Sequence, residues 1–272
     1  MALVSSKTQA IGSGAQYEHI DVSREDDFAI VAMCRERSRN SLSEEHLREL
    51  LDAFRVVAES DARGVVLAAK GPVFSSGHDF RDMHGRDLEE MRRLLTVCAE
   101  LMLRLQQIPQ PVIAQVEGLA TAAGCQLVAS CDLAVAAESA MFQVPGGRGG
   151  WFCHTPGVAL ARAVGRKRAL EMLFTGDPID ARTALDWGLV NRVVAETDVA
   201  AETRSLLRSA TRGSRSAKAR GKEIFYRQVD LDIAAAYTLA TEAMAVASQT
   251  KHGQERINSF VEKRPPDYTE SD

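Results

Sequence analysis

Four runs in the first half of the chain are apolar along almost their whole length: FAIVAM (28–33), GVVLAA (64–69), PVIAQV (111–116) and DLAVAA (132–137). A strand with one face in water alternates polar and apolar residues. A strand that is apolar throughout needs cover on both faces. The segments between the runs supply that cover. Leu47, Leu50, Leu51, Phe54 and Val57 recur at three- and four-residue steps and make one helix face. Ser41 followed by Glu44 has the pattern of a capping box at its start. A second face runs from Met91 through Leu94, Cys98, Leu101 and Leu105 to Ile108 and stops at Pro109. Doubly covered strands alternating with helices predict an α/β architecture with parallel pairing.

The second half reads differently. Helical patterns cover 158–174, 180–187, 198–212, 214–228, 231–249 and 252–263, and only LVNRVV (189–194) reads as a strand. The expected organisation is a mobile tail over 1–16, an α/β core over 17–200 and a helical region over 201–272, with the final KRPPDYTESD loose. Lys and Arg number 33 against 37 Asp and Glu, a net charge of −4, which argues against nucleic acid as a partner. No apolar run approaches the roughly 20 residues that span a bilayer. The five cysteines are odd in number and irregularly spaced, and the six histidines lack metal-ligand spacing, so reduced thiols and no metal site are expected. The opening MALVSSKTQAIGSGAQ has neither the apolar stretch of a signal peptide nor the arginines of a transit peptide, and a cytoplasmic location is expected.

Two small-residue loops follow two of the strands: KGPVFSSGHDF (70–80) and EGLATAAGCQL (117–127). Neither is GxxxxGK[ST] nor GxGxxG, which excludes phosphate-loop and dinucleotide readings. Ligands gather at the carboxyl ends of strands in open α/β sheets. Small residues let a ligand approach the backbone, and the second loop runs into a helical pattern near Ala122, where main-chain N–H groups are unpaired. From residue types alone two readings stay open. The loops are tight turns packing helix on strand, or one amide from each converges on a single oxygen as an oxyanion hole.

Taken together, SRNSLS (38–43), GVVLAAKGPVFSSGHDF (64–80), EGLATAAGCQLVASCDLAVA (117–136), ALEMLFTG (169–176) and GQERINSFVEKRPP (253–266) resemble the enoyl-CoA hydratase/isomerase, or crotonase, superfamily. The resemblance implies a crotonase-like spiral of ββα units and a C-terminal helical part that makes homotrimers or hexamers. It implies an acyl-CoA thioester as the ligand, with no further cofactor. The thioester carbonyl would sit between the amides of His78 and Ala123. Ser38, Ser41, Ser76, Gly77 and Asp79 would lie along the CoA path, and Phe260 and Lys263 near the adenine end, often supplied by a neighbouring subunit.

The resemblance breaks at the two carboxylates that move protons and water in a hydratase. Their positions hold Gln126, three residues after Ala123, and Gly146, after the proline of Phe142-Gln143-Val144-Pro145. A Gln amide takes no proton near neutral pH, and losing general acid–base help costs about 10²–10⁴ in rate per group. Substitutes are the His78 ring, Asp79, Cys153 and His154, while Arg148 could meet an acyl carboxylate. The Ser-Gly-His-Asp run resembles methylmalonyl-CoA decarboxylase, whose reaction needs an enolate sink but no base. A decarboxylase- or thioesterase-like enzyme and a silent thioester-binding protein are therefore alternatives to a hydratase.

Overall fold

The computed structural model describes residues 9–10 and 17–269. Strands and helices are numbered in chain order. A seven-stranded sheet runs β1-β2-β3-β4-β6-β8-β11. Its members are β1 (Gln9–Ala10), β2 (Ile20–Glu25), β3 (Phe28–Met33), β4 (Gly64–Ala69), β6 (Val112–Val116), β8 (Leu133–Ala137) and β11 (Arg192–Val194). The four apolar runs are β3, β4, β6 and β8. They pair in parallel, as expected of strands buried on both faces. β1 and β2 pair antiparallel at the edge. Of the expected tail, Gln9 and Ala10 form β1 opposite Arg24 and Ser23, and the rest of 1–16 lies outside the described residues.

A second sheet of four short strands runs β10-β9-β7-β5. These are β5 (Val73–Ser75), β7 (Leu119–Thr121), β9 (Met141–Gln143) and β10 (Ile179–Asp180). Each long strand β4, β6 and β8 passes through a loop into its short successor, so the chain winds as repeated ββ turns followed by helices. Segments of two or three residues carry no readable periodicity, so the residues alone do not reveal this sheet. It nevertheless positions the site, because β5, β7 and β9 lie side by side and release three loops at one end.

The helices are α1 (Glu44–Glu59), α2 (Phe80–Met83), α3 (Leu88–Gln107), α4 (Ala123–Ser130), α5 (His154–Val164), α6 (Arg166–Thr175), α7 (Ala181–Trp187), α8 (Val199–Ala210), α9 (Arg215–Gln228), α10 (Ile233–Ser248) and α11 (Lys251–Val261). The expected 158–174 pattern is two helices, divided at Gly165. The cap of α1 is Ser43, whose hydroxyl accepts from the His46 amide at 3.3 Å. The expected Ser41 lies two residues too early. A β-bridge between Leu42 and His78 holds that stretch extended, and the Ser41 hydroxyl donates to Asp79 at 2.9 Å.

The C-terminal helices are bolted to the core by one buried network. Lys222 of α9 reaches the carbonyls of Leu105 and Gln110 and the Asp132 carboxylate (2.6 Å), while the Tyr226 hydroxyl donates to the other Asp132 oxygen (2.8 Å). The Val112 amide also donates to Asp132, which ties β6 to the start of β8. Beyond α9 the surface changes character. Ile233, Tyr237 and Met244 of α10 are all more than two-thirds exposed. The described part of KRPPDYTESD makes contacts with α11. Arg264 grips both oxygens of Glu255, the Asp267 amide donates to it, and these partners lower the Glu255 pKa to about 2.

Two outcomes follow from this packing. Replacing Lys222 by Ala strands the Asp132 charge in the interior and should cost about 3–5 kcal/mol in denaturant unfolding. Tyr226→Phe should cost only about 1–2 kcal/mol. His46 is fully buried, one ring nitrogen against the Ser41 carbonyl and the other unpartnered, and burial pushes its pKa down to about 4. Between pH 6.5 and 4 the unfolded chain binds a proton that the fold refuses. Stability should therefore fall as pH falls through that window, by about 3 kcal/mol in total. A His46→Gln variant should show a flatter pH dependence.

Candidate functional site

The turn before α1 clamps the first loop. Asn40 is fully buried, and its amide donates to the carbonyls of Lys70 (2.9 Å) and Val73 (2.8 Å) while its oxygen accepts from the Arg35 amide. Ser75 donates to the Asn40 carbonyl, and the Ser76 amide to that of Arg39. Asp79 accepts from Ser41 and from the Arg81 amide, which it caps, and lies 3.3 Å from Arg35. Burial pushes its pKa up, but these partners outweigh that and hold it below the usual range. Asp79 and Ser41 are thus spent on fixing the loop, and Ser38 donates to the Arg35 carbonyl. Asn40 escaped the reading of the residues. The signal that could have found it is an Asn inside a turn rich in Arg and Ser, a residue type that tolerates the positive φ of 51° found there.

This clamp decides where the His78 amide points. In the bridge, the Leu42 amide donates to the Gly77 carbonyl and the Asp79 amide to the Leu42 carbonyl. Successive N–H groups of an extended chain alternate sides, so that of His78 faces away from Leu42. It faces α4. An added Cβ on Gly77 would lie 2.8 Å from the Ala122 Cβ and 3.1 Å from the Ala123 nitrogen, and Gly77 has φ +80°. On the other side Ala122 has φ 51° and ψ −119°, a strained conformation for a residue with a side chain. Its own amide is spent on the Gln143 carbonyl, leaving the Ala123 amide first in the helix. Among the described residues, neither the His78 nor the Ala123 amide has an acceptor.

His78, Ala123, Gly146 and Ser76 line one cavity of 490 Å³. The N-terminal residues of α5 line it too, and neither α4 nor α5 has a side-chain cap or an acid in its first turn. Two positive helix ends therefore meet at a cavity whose described lining has no Asp, Glu, Lys or Arg. Cys153 is in the wall, its pKa pushed up by burial. The His78 ring is buried, and that burial pushes its pKa below the usual imidazole value.

Not every expected residue reaches the cavity. Gln126 lines a neighbouring one of 510 Å³ between α3, α4, α5 and α9, its side-chain oxygen unpartnered. Phe260 is exposed under Arg256, and Lys263 follows α11, neither in the cavity wall of the same chain. Arg148 pairs with Asp177 at 3.1 Å. Position 146 is closed. A Cβ there would lie 2.3 Å from the Trp151 carbonyl oxygen and 2.6 Å from the Cys153 sulfur. The glycine does more than omit a carboxylate, because the space a side chain needs is filled.

The profile of the enoyl-CoA hydratase/isomerase family matches residues 24–271. The chain is 44% identical to mitochondrial enoyl-CoA hydratase domain-containing protein 3 of Mus musculus over 94% of this chain and 86% of that one. Two crystal structures superpose closely. One is an enoyl-CoA hydratase of Mycobacterium smegmatis, with TM-score 0.89 and 43% identity over 93% of this chain and 99% of the other. The other is human enoyl-CoA hydratase domain-containing protein 3, with TM-score 0.88 and 42% identity over 92% of this chain and all of the other. The α/β fold and crotonase likeness expected from the residues are thereby shown. The expected cytoplasmic location is corrected, since the curated relatives from mouse, rat, frog and human are all named mitochondrial and point to that compartment.

The crowding at two glycines gives a direct check. Gly77→Ala should lower the unfolding midpoint and displace the first loop, at a cost of about 2 kcal/mol from the positive φ and the backbone contacts combined. Gly146→Glu should destabilise by at least about 1–3 kcal/mol, since backbone and a buried sulfur must move. Denaturant titration of both variants against the parent measures these costs.

Proposed function

The chain belongs to the enoyl-CoA hydratase/isomerase family, and from that premise we propose that it binds an acyl-CoA thioester with the carbonyl oxygen held between the His78 and Ala123 amides. The carrying observation is the close approach of the Gly77 backbone to the Ala123 nitrogen, with both amides unspent and lining one cavity. When the α-proton of the bound thioester is lost to a solvent base, the C–H bonding pair moves onto the thioester carbonyl oxygen as an enolate. Two fixed donors and the positive end of α4 favour that enolate over the neutral ground state, by about 3–4 kcal/mol per donor in a dry site. The Ser76–Gly77 backbone leads CoA to this point.

Hydration is not part of the proposal. Addition of water to the β-carbon needs a group that takes and returns a proton. Neither carboxylate position offers one, since Gly146 has no side chain and the Gln126 amide takes no proton, and the lining holds only the His78 and His154 imidazoles in place of the carboxylate pair. The function supported best is capture of an acyl-CoA in enolate-stabilising form. The uncovered apolar face of α10 supports assembly of copies into a trimer or hexamer. That assembly is also the route by which Phe260 and Lys263 of one copy would reach the CoA bound to the next.

Acetoacetyl-CoA tests the two-amide grip, because its enolate absorbs in the near ultraviolet and its keto form does not. Mixing should increase that absorbance stoichiometrically, and Gly77→Ala should abolish the increase while circular dichroism still reports a folded chain. An unchanged spectrum with the parent protein would sink the proposal. Crotonyl-CoA should lose no absorbance at ordinary enzymatic rates, either with the parent or with Gln126→Glu, which adds a carboxylate on the far side of α4.

A further inference from the structure

We propose that Cys153 is an acyl acceptor: its sulfur attacks the carbonyl carbon of a bound acyl-CoA and carries the acyl group as a protein thioester. The proposal rests on the thioester reading above and adds a covalent step to it. Cys153 lines the same cavity as His78, Ala123 and Thr121. Its sulfur lies 2.6 Å from the point that a Gly146 Cβ would occupy, so a thiol holds the space that a side chain at position 146 would take. The other cysteines are placed differently. Cys98, Cys125 and Cys131 are buried outside the cavity lining, and Cys34 is half-buried beside Lys70. Thr121 is a second, independent sign of a ligand. It is nine-tenths buried, and its hydroxyl stands in the cavity wall with no partner in the protein. Leaving a buried hydroxyl unpaired is costly, and an oxygen of bound acyl-CoA would satisfy it.

Three features favour the attack. Cys153 immediately precedes α5, a helix of 11 residues without a side-chain cap, whose start places partial positive charge beside the thiol. The Gly146 main chain hydrogen-bonds the sulfur and favours its thiolate. Attack also turns the thioester carbonyl oxygen into an oxyanion, and the amides of His78 and Ala123 stabilise charge on that same atom. The step balances without a co-reactant. The thiol gives its proton to water at the cavity mouth, a sulfur lone pair forms the new S–C bond, and the carbonyl π pair moves onto oxygen. That pair returns as the bond to the CoA sulfur breaks, and the departing CoA thiolate takes up a proton. Burial raises the Cys153 pKa above that of an ordinary thiol such as CoA. The thiol of lower pKa leaves faster, so the tetrahedral adduct sheds CoA and keeps Cys153. Positions 126 and 146 carry no carboxylate to drive water onto the new thioester. One acylation per chain is the expected extent.

The test is intact-mass spectrometry of the whole protein incubated with butanoyl-CoA in the absence of added thiols, with free CoA measured by chromatography. The chain should gain the mass of one butanoyl group and release one CoA. Fragmentation of the acylated parent should place the group on Cys153, formed at least about 10-fold faster than any labelling of Cys34, because only Cys153 shares a cavity with the bound thioester. Cys153→Ser should remove the adduct, and Cys34→Ser should leave it. Gly77→Ala should slow acylation of Cys153 at least about 100-fold and leave labelling of Cys34 unchanged, since only the first reaction uses the paired amides. Release of further CoA that Cys153→Ser abolishes also supports the acceptor role, with water taking the acyl group from the sulfur. Calorimetric binding of butanoyl-CoA with neither a mass gain nor CoA release overturns the inference and leaves the thioester reading standing. An acyl group found on Cys34 or on a lysine, and not on Cys153, overturns it in the same way. Failure of butanoyl-CoA to bind overturns the thioester reading itself, and this inference with it.

Discussion

The whole site depends on one close approach, the Gly77 backbone against the first turn of α4. Nothing larger than hydrogen fits there, because the Thr121 carbonyl, the Ala122 methyl and the Ala123 amide already occupy the space. The approach is maintained from behind. Asn40 ties the turn over residues 35–42 to the loop at Lys70 and Val73, and the Leu42 bridge consumes the hydrogen-bonding groups on either side of His78. With its neighbours committed, the His78 amide has only the cavity to face. A strained Ala122 does the corresponding work on α4. Strain of this sort persists only where surrounding contacts over-determine it, and here the second sheet supplies those contacts.

The electrostatic character of the cavity follows from main chain rather than side chains. Two uncapped helix starts and two unspent amides give a positive potential in a lining that carries no formal charge. On the proposed reading, such a lining favours charge that appears on an oxygen during reaction. The closing of position 146 by the Cys153 sulfur and the Trp151 carbonyl belongs to the same design. The direction a side chain would take at position 146 is filled by backbone and sulfur, so the site lacks both a carboxylate there and the room for one.

The helical C-terminal part is joined to this core through a small number of polar contacts that are hard to dispense with. Lys222 and Asp132 are both buried, burial lowering the pKa of the first and raising that of the second, and they stay compatible with the interior because each satisfies the other. Breaking one half of such a pair costs far more than the pair is worth over an apolar replacement. Beyond this bolt, α10 presents apolar side chains to solvent. That exposed apolar face is what the proposed assembly of copies would cover.

Periodicity and residue type determined a good deal by themselves. The four apolar runs became four parallel strands with almost the expected bounds, since continuous burial leaves a continuous hydrophobic signature. The long helices α1 and α3 were equally legible from their faces, and residues of the two small-residue loops line the candidate cavity. Local pattern was insufficient where the deciding partner lies far along the chain. Ser43 rather than Ser41 caps α1 because His78 bridges Leu42, a contact 36 residues away that no capping motif encodes. The three-residue strands β5, β7 and β9 hold together only by pairing with one another. Gln126 and Gly146 were both readable as missing carboxylates. Only the packing decided that one opens on a different cavity and that the other has no room for a side chain, because van der Waals exclusion is set by neighbours in space and not by neighbours in sequence.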